Sequence, residues 1–553
     1  MFLAQVKFSS FVLKGCFGLI LTLQVGLAQS QELTNSDSFL NTVIPAPRFI
    51  VSNDELSYFD GFQITRNFEK ISSEDSILPN DIFGLNQTEI ALLQSLLNPH
   101  KSDITTSKNL MNLEFVQRTE LHLDENPEYS IVRKKGSLMV MATSYSGFFN
   151  AIQTLSQLME SNHNEKGYYL PSQLAIRDEP QFTWRGMHLD VSRHFFPVTF
   201  IKKYIDILSR YKINRFHWHL TDDQGWRIEI KKYPRLTQIG GIRAETMTAK
   251  NFNPYVGDGM EHSGFYTQEE IRDVIAYAQL RNIEIIPEIE MPGHARAALA
   301  AYPELSCTGQ KLSVPTTWGV FEDVYCNRES TFQFLFNVLD EVIALFPSKV
   351  IHIGGDEVPK TRWNACRECQ KIRDDHQLKD AHELQSYFIQ RIDSFVTSKG
   401  RTLIGWDEIL EGGLAKNAMV MSWRGTEGGI AAANMGHYVV MTPGSHCYFD
   451  HYQDTSGLEP LAIGGYTSLE KVYAYKPIPE QLAEQRRHFI LGAQANMWTE
   501  YMATESHVEY MLLPRICALS EVLWGTTKDF ADFEERLKSH FEIFERNNWN
   551  YRK

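Results

Sequence analysis

The sequence predicts an α/β protein, a (β/α)8 barrel of the TIM type preceded by a small α+β domain. Three observations carry this expectation. From Arg185 onward, short apolar runs alternate with amphipathic helical segments, the pattern of a parallel sheet covered by helices. Eight such units follow one another in about 350 residues, which suits a closed barrel better than an open doubly wound sheet. No Gly-x-Gly-x-x-Gly or phosphate loop follows the first run, so a nucleotide-binding sheet is a poor fit.

The elements follow in chain order. Lys7 and Lys14 precede the apolar run Phe17–Ala28, which ends in Ala28-Gln-Ser30. This reads as a signal peptide over residues 1–30 and implies export, to a periplasm or out of the cell. The run is short for a membrane span and polar sequence follows it, so no stable membrane insertion is expected. Residues 31–178 read as an N-terminal α+β domain. Within it Tyr129–Val132, Lys134-Lys-Gly136 and Leu138–Ala142 read as strand, turn and strand, and Ser146–Met159 repeats apolar residues at helical spacing. Residues 182–545 hold the barrel. Its strands are expected at Gly186–Val191, Ile213–Leu220, Ile283–Ile289, Val350–Gly354, Thr402–Trp406, Ala418–Trp423, Tyr438–Thr442 and Ile490–Met497. Helices are expected at Val198–Tyr211, Gln268–Arg281, Thr331–Leu345, Ala381–Ser398 and Ser506–Leu523.

Composition excludes several classes of function. The 553 residues are 43% hydrophobic and 22% charged, which rules out a disordered or fibrous chain. The net charge of −14 lacks the basic footprint of a nucleic-acid binder and disfavours docking on anionic lipid. Of seven cysteines, Cys16 falls in the leader. Export permits disulfides, and Cys307 with Cys326 brackets one loop-like segment, the best candidate pair. Cys366 and Cys369 form a Cys-x-x-Cys; without a second such motif it reads as a local disulfide or two free thiols rather than as zinc. Cys447 and Cys517 read as isolated and buried.

In a barrel the chemistry sits at the carboxyl ends of the strands. Here all eight ends are polar or aromatic: Asp190-Val-Ser-Arg-His194, His217 to Trp226, Glu288 to His294, His352 to Glu357, Trp406-Asp-Glu408, Trp423-Arg424, His446 to Asp450 and Trp498-Thr-Glu500. Carboxylates and arginine make directional hydrogen bonds to hydroxyls, and tryptophan faces suit sugar rings, so the rim describes a carbohydrate pocket. Asp356-Glu357 is its sharpest element. Two adjacent carboxyls at a buried strand end cannot both ionise freely, so one pKa is expected to rise, as a general acid needs. Retaining hydrolysis by two carboxylates requires them to face each other across the sugar about 5 Å apart. Sequence neighbours on a strand point in different directions, so the pair fits an acid and a helper better than an acid and an opposed nucleophile. His217-Trp-His219 would place both rings on one face, as in metal-dependent hydrolases. No further ligand series follows it, and orienting histidines bonded to carboxylates fit better.

Arg185-Gly-Met-His-Leu-Asp-Val-Ser-Arg-His-Phe-Phe196, His217 to Trp226, Glu290-Met-Pro-Gly-His294 and His352-Ile-Gly-Gly-Asp-Glu-Val358 resemble the β-N-acetylhexosaminidases of glycoside hydrolase family 20. The resemblance covers about 182 to 525, and the preceding domain is similar to that family's N-terminal domain. It implies an exo-acting enzyme that removes terminal N-acetylglucosamine or N-acetylgalactosamine, with the substrate's own 2-acetamido oxygen as nucleophile and an oxazolinium intermediate. It implies Glu357 as general acid/base, Asp356 as the residue that orients and charge-stabilises the acetamido group, and Tyr448 as donor to its oxygen. Trp406, Trp423 and Trp498 would wall the pocket. Arg193, Asp450 and Glu500 would bind sugar hydroxyls, and Asp222 with His294 would support the acid. No metal or organic cofactor is implied. Two other readings stay open at this point: a catalytically silent sugar binder, against which the intact Asp356, Glu357 and Tyr448 argue, and a metal-dependent amidohydrolase.

Overall fold

The computed structural model describes residues 41–53, 55–65, 87–98, 109–117, 128–134, 137–525 and 529–553. The expected signal peptide lies outside the described residues, as do Lys135 and Gly136 of the expected turn.

The N-terminal part is a six-stranded sheet in the spatial order Phe49–Ser52, Leu174–Asp178, Tyr129–Lys134, Ser137–Ala142, Leu110–Gln117, Gly61–Thr65. The helix expected from Phe148 onward runs over Tyr145–Ser161, capped by the Ser144 hydroxyl, which accepts from the Gly147 N–H. It and the helix Gln87–Leu97 bury their apolar faces on this sheet.

After Asp178 the chain enters the barrel. Its strands are β1 (Trp184–Asp190), β2 (Arg215–His219), β3 (Glu284–Glu288), β4 (Val350–His352), β5 (Thr402–Trp406), β6 (Met419–Ser422), β7 (Val439–Met441) and β8 (Ile490–Ala495). All neighbours pair in parallel and β8 closes on β1. Each of the eight expected strands is present, with ends within two residues of expectation. The pleat then sorts the side chains. On β2, Phe216 and Trp218 point outward and pack with Tyr204 and Tyr266, while His217 and His219 point inward to Glu288. The interior is layered. Trp184, Ile286, Ile404, Met419, Met421 and Val440 fill it with apolar bulk. Toward the carboxyl ends it turns polar, through His188, His217, His219, Glu288, His352 and Gln494, all without solvent exposure. That polar layer is the floor on which the site is built.

Two expectations are corrected. The helix expected over Ser506–Leu523 is broken into Glu505–Leu512 and Arg515–Trp524. Pro514 stands at the break, where it has no N–H to donate and its ring excludes a continuous helix. The expected Cys307–Cys326 disulfide is absent and all six described cysteines are free. A disulfide needs sulfurs about 2.05 Å apart. Instead Cys326 Sγ lies 3.5 Å from Cys369 Sγ and 3.8 Å from Cys366 Sγ, because the Cys-x-x-Cys segment folds onto the same place. Cys447 and Cys517 are buried.

One buried ion pair joins the two parts of the molecule. Lys212 Nζ donates to Asp178 Oδ2 at 3.0 Å and to the Tyr129 hydroxyl at 2.8 Å, and Trp524 Nε1 donates to Asp178 Oδ1 at 2.8 Å. Both charged side chains are fully buried. Removing one partner strands the other charge. Lys212→Met is expected to lower stability by about 3–5 kcal/mol, read as a fall in Tm, while KM stays unchanged.

Candidate active site

The strand β4 ends in Gly354-Gly355-Asp356-Glu357. Both glycines have positive φ, 66° and 95°, and neither has room for a side chain. A Cβ on Gly354 would sit 1.7 Å from Glu290 Oε2, and one on Gly355 would sit 2.6 Å from Ile409. The turn is therefore confined to glycine. It delivers Glu357 at φ 45°, a conformation non-glycine residues reach at a cost of about 1–3 kcal/mol. The two carboxyls consequently part. The Asp356 side chain is 12% exposed, while that of Glu357 swings out to 39%.

Glu357 meets His294, whose Nε2 lies 3.4 Å from Glu357 Oε2 and 3.7 Å from Asp356 Oδ2. His294 Nδ1 faces Asp222 Oδ1 and Asp223 Oδ2, each at 3.1 Å. Asp222 Oδ2 in turn lies 2.9 Å from His219 Nε2, and the other ring nitrogen of His219 bonds Glu288. A continuous chain of alternating carboxylates and imidazoles thus runs Glu288–His219–Asp222–His294–Glu357 from the barrel interior to the surface. Burial alone would discharge His219, but Glu288 and Asp222 outweigh it and raise its pKa to about 10. The same competition, won by Asp222, Asp223 and Glu357, holds His294 well above the ordinary histidine value. Both imidazoles are therefore cationic at neutral pH. Both histidines of the His-x-His face Glu288: His217 Nε2 lies 3.0 Å from Glu288 Oε2, and its Nδ1 contacts Gln494.

The opposite wall comes from β1, β7 and β8. Asp190 accepts from the Ser192, Arg193 and Thr499 N–H groups and so ties the β1 and β8 loops together. Arg193 Nη2 reaches Asp222 Oδ2 at 2.8 Å, and its guanidinium lies over Trp498. The loop after β7 is clamped to β8 by Asn496 N–H to Cys447 O and Phe449 N–H to Asn496 O, which places Tyr448 and Asp450. Tyr448 stacks on Trp423 with centroids 6.2 Å apart. Trp406 is the floor, anchored by Nε1 to Glu288 Oε1 at 2.9 Å.

Together these form one cleft, lined by Arg193, Asp222, His294, Asp356, Glu357, Trp406, Trp423, Tyr448, Asp450, Ile463, Trp498 and Glu500. Every residue to which the resemblance gives a role is brought to it. Asp356 Oδ1, Asp450 Oδ1 and Glu500 Oε2 are buried there with no hydrogen-bond partner among the described residues, acceptors that a ligand's N–H and O–H groups would satisfy.

The electrostatics correct one expectation. One pKa of the adjacent pair is indeed raised, but it belongs to Asp356 and not to the residue expected to be the acid. Burial, with Glu288 and Glu357 nearby, pushes Asp356 up to about 7 against the pull of His294. Glu357 is held below the usual value, first by its hydrogen bond with His294. The cause is the backbone: φ 45° at Glu357 turns that carboxyl toward an imidazolium and water. The sequence also gave no role to Glu288, which collects His217, His219, His352 and Trp406. Its signal was present as an acidic strand end, but only the register His219↔Glu288 shows what it serves. Glu408 is a second such strand-end acid; burial and then Asp356 raise it to about 8, and it accepts from Trp423 Nε1 at 2.9 Å.

Comparison with known proteins agrees with this geometry. The model of the glycosyl hydrolase family 20 catalytic domain matches residues 182–527. A beta-hexosaminidase of Porphyromonas gingivalis is 52% identical over 417 residues, 74% of this chain; the chain spans about half, 52%, of that relative's length. A beta-hexosaminidase of Vibrio furnissii is 35% identical over 89% of this chain and 78% of its own. Among solved structures, the Vibrio harveyi exo beta-N-acetylglucosaminidase in complex with N-acetylglucosamine superposes with TM-score 0.78 at 33% identity, covering 93% of this chain and 78% of that one. The beta-N-acetylhexosaminidase of Bacteroides fragilis superposes with TM-score 0.74 at 31% identity, covering 92% and 96%.

Proposed function

The chain belongs to glycoside hydrolase family 20, and from that membership we propose that it is an exo-acting β-N-acetylhexosaminidase. It removes terminal N-acetylglucosamine and N-acetylgalactosamine from the non-reducing ends of glycans, with retention. The observation that supports this best is the buried, unpartnered Asp356 Oδ1 in the same cleft as Tyr448. An acceptor and a phenol donor lining one cleft match the N–H and C=O of a 2-acetamido group. Held so, the acetamido oxygen attacks the anomeric carbon as the glycosidic C–O bond breaks, and Glu357 gives its proton to the departing oxygen. Asp356 offsets the positive charge of the oxazolinium. Glu357 then takes a proton from water, whose oxygen attacks the same carbon and reopens the ring. No protein nucleophile is required, which agrees with a carboxylate pair adjacent in sequence. Trp406, Trp423 and Trp498 enclose the ring. Arg193, Asp450 and Glu500 grip free hydroxyls, leaving no place for a further sugar there, hence the exo mode. The leader-like residues before 31 support export.

Two tests follow. A chito-oligosaccharide incubated with the full chain should lose one sugar at a time from its non-reducing end; internal fragments at early times would refute the exo reading. The second test is pH. Asp356 and Glu357 share His294, so over a middle range the pair holds one proton. Substrate needs Asp356 ionised to accept its N–H and Glu357 protonated to donate, so binding shifts that single proton across. Below the acid limb the pair holds two protons, so Asp356 stays neutral even with Glu357 protonated, and above the alkaline limb no proton remains to donate. With Asp356 at about 7 in the free protein, kcat/KM should fall as pH rises through neutrality. A profile flat to pH 9 would contradict the shared proton.

A further inference from the structure

Four cysteines from three separate segments meet beside the loop that carries Glu357. Cys307 follows the turn Pro303–Leu305. Cys326 follows Tyr325, whose N–H donates to Pro292 O in the loop of His294. Cys366 caps the helix Arg367–Asp375, and Cys369 lies in its first turn. Their sulfurs all lie within 4.8 Å of one another, with Cys307–Cys369 at 3.7 Å, Cys326–Cys366 at 3.8 Å and Cys326–Cys369 at 3.5 Å. Cys326, Cys366 and Cys369 are buried and Cys307 is partly so.

These separations discriminate between the chemistries open to four thiols. A disulfide requires about 2.05 Å, well short of each of them. Four thiolates around a tetrahedral zinc at about 2.3 Å stand about 3.8 Å apart along each edge. We propose that Cys307, Cys326, Cys366 and Cys369 bind one structural Zn2+. Each thiol gives up its proton to solvent as its sulfur coordinates, and no redox change occurs. The resulting negative site is met by the Arg328 guanidinium beside Cys326 and by the Asn327 N–H at Cys369, the kind of supporting contacts that hold thiolate ligands. With all four positions taken by sulfur, the ion has no open site for substrate.

Its effect on the enzyme is positional. Val358, next to Glu357, packs in the same cluster as Cys326, Cys366, Cys369 and Trp363. Trp363 Nε1 donates to Tyr325 O at 2.9 Å. The metal thus staples the β3 loop bearing His294 to the β4 loop bearing Asp356 and Glu357. This cluster is separate from His217 and His219, which face Glu288 inside the barrel.

The test is elemental analysis of the purified full chain together with thiol titration after unfolding in chelator without reductant. One zinc per chain and every cysteine reactive are expected. Four unreactive cysteines would show two disulfides and overturn the proposal. So would a protein with reduced thiols that takes up no added Zn2+, or one that holds a different metal at them. Cobalt substituted for zinc should give the thiolate charge-transfer and intense visible bands of a tetrahedral sulfur site. Cys369→Ser should lose the metal and lower Tm, whereas Cys447→Ser should retain it. Zinc retained in full by Cys369→Ser would place the ion elsewhere. The reading of the active site does not depend on the outcome.

Discussion

Glu357→Gln is expected to reduce kcat on natural oligosaccharides by roughly 10²- to 10⁴-fold, the usual worth of a positioned acid–base group, with little change in KM. The amide keeps the shape of the side chain and can still face His294, whose Nε2 stands 3.4 Å from the carboxylate, but it cannot give or take a proton. The defect should depend on the leaving group. A nitrophenolate departs without protonation, so aryl substrates should lose less in the first step than a sugar alcohol does. The remaining loss lies in the second step, where water still needs a base. Equal losses across good and poor leaving groups would mean that another group is the acid. His294→Ala offers an independent reading. Its imidazolium lowers Glu357, so its removal should move the pH profile as well as its height. A merely structural residue would change the height alone.

The barrel was legible because parallel strands are short apolar runs, and each of the eight strands stood where such a run stood. The cleft residues were legible because polar residues at buried strand ends are costly and so conspicuous. Three things were not. Glu288 looks like any acidic strand end until the sheet register sets it against His219, and register is a property of pairing, not of one strand. The raised pKa falls on Asp356, which is buried, while Glu357 is held down by its hydrogen bond with His294, and neither environment is encoded in residue identity. The four cysteines are spread over 62 residues, and only the fold places a lone Cys-x-x-Cys beside Cys307 and Cys326. Pro514 is the opposite case, since a proline within an apolar period already marks a helix end.

A substrate in which the 2-acetamido group is replaced by hydroxyl should be nearly inert, although the ring itself fits the cleft. If the acetamido oxygen is the nucleophile, that change removes a reactant, not a contact. The loss should therefore exceed any single side-chain substitution and should fall on kcat. A thiazoline ring fused to the sugar mimics the oxazolinium and should inhibit competitively, binding more tightly than substrate because the cleft is complementary to the reacting form. Asp356→Ala should weaken both turnover and thiazoline binding, since the buried Oδ1 without a protein partner is the group left to hold the acetamido N–H and its developing charge. If Tyr448 donates to the acetamido oxygen as proposed, Tyr448→Phe removes that hydrogen bond and should cost about 0.5–1.5 kcal/mol. On the proposed reading the two side chains hold one acetamido group, so the effects of the two substitutions on thiazoline affinity should not add. Efficient turnover of the 2-hydroxy glucoside, or a trapped glycosyl ester on any cleft carboxylate, would replace the neighbouring-group mechanism with a protein nucleophile. Asp450 and Glu500 would then be the carboxylates to test, because each keeps an unpaired oxygen in the cleft.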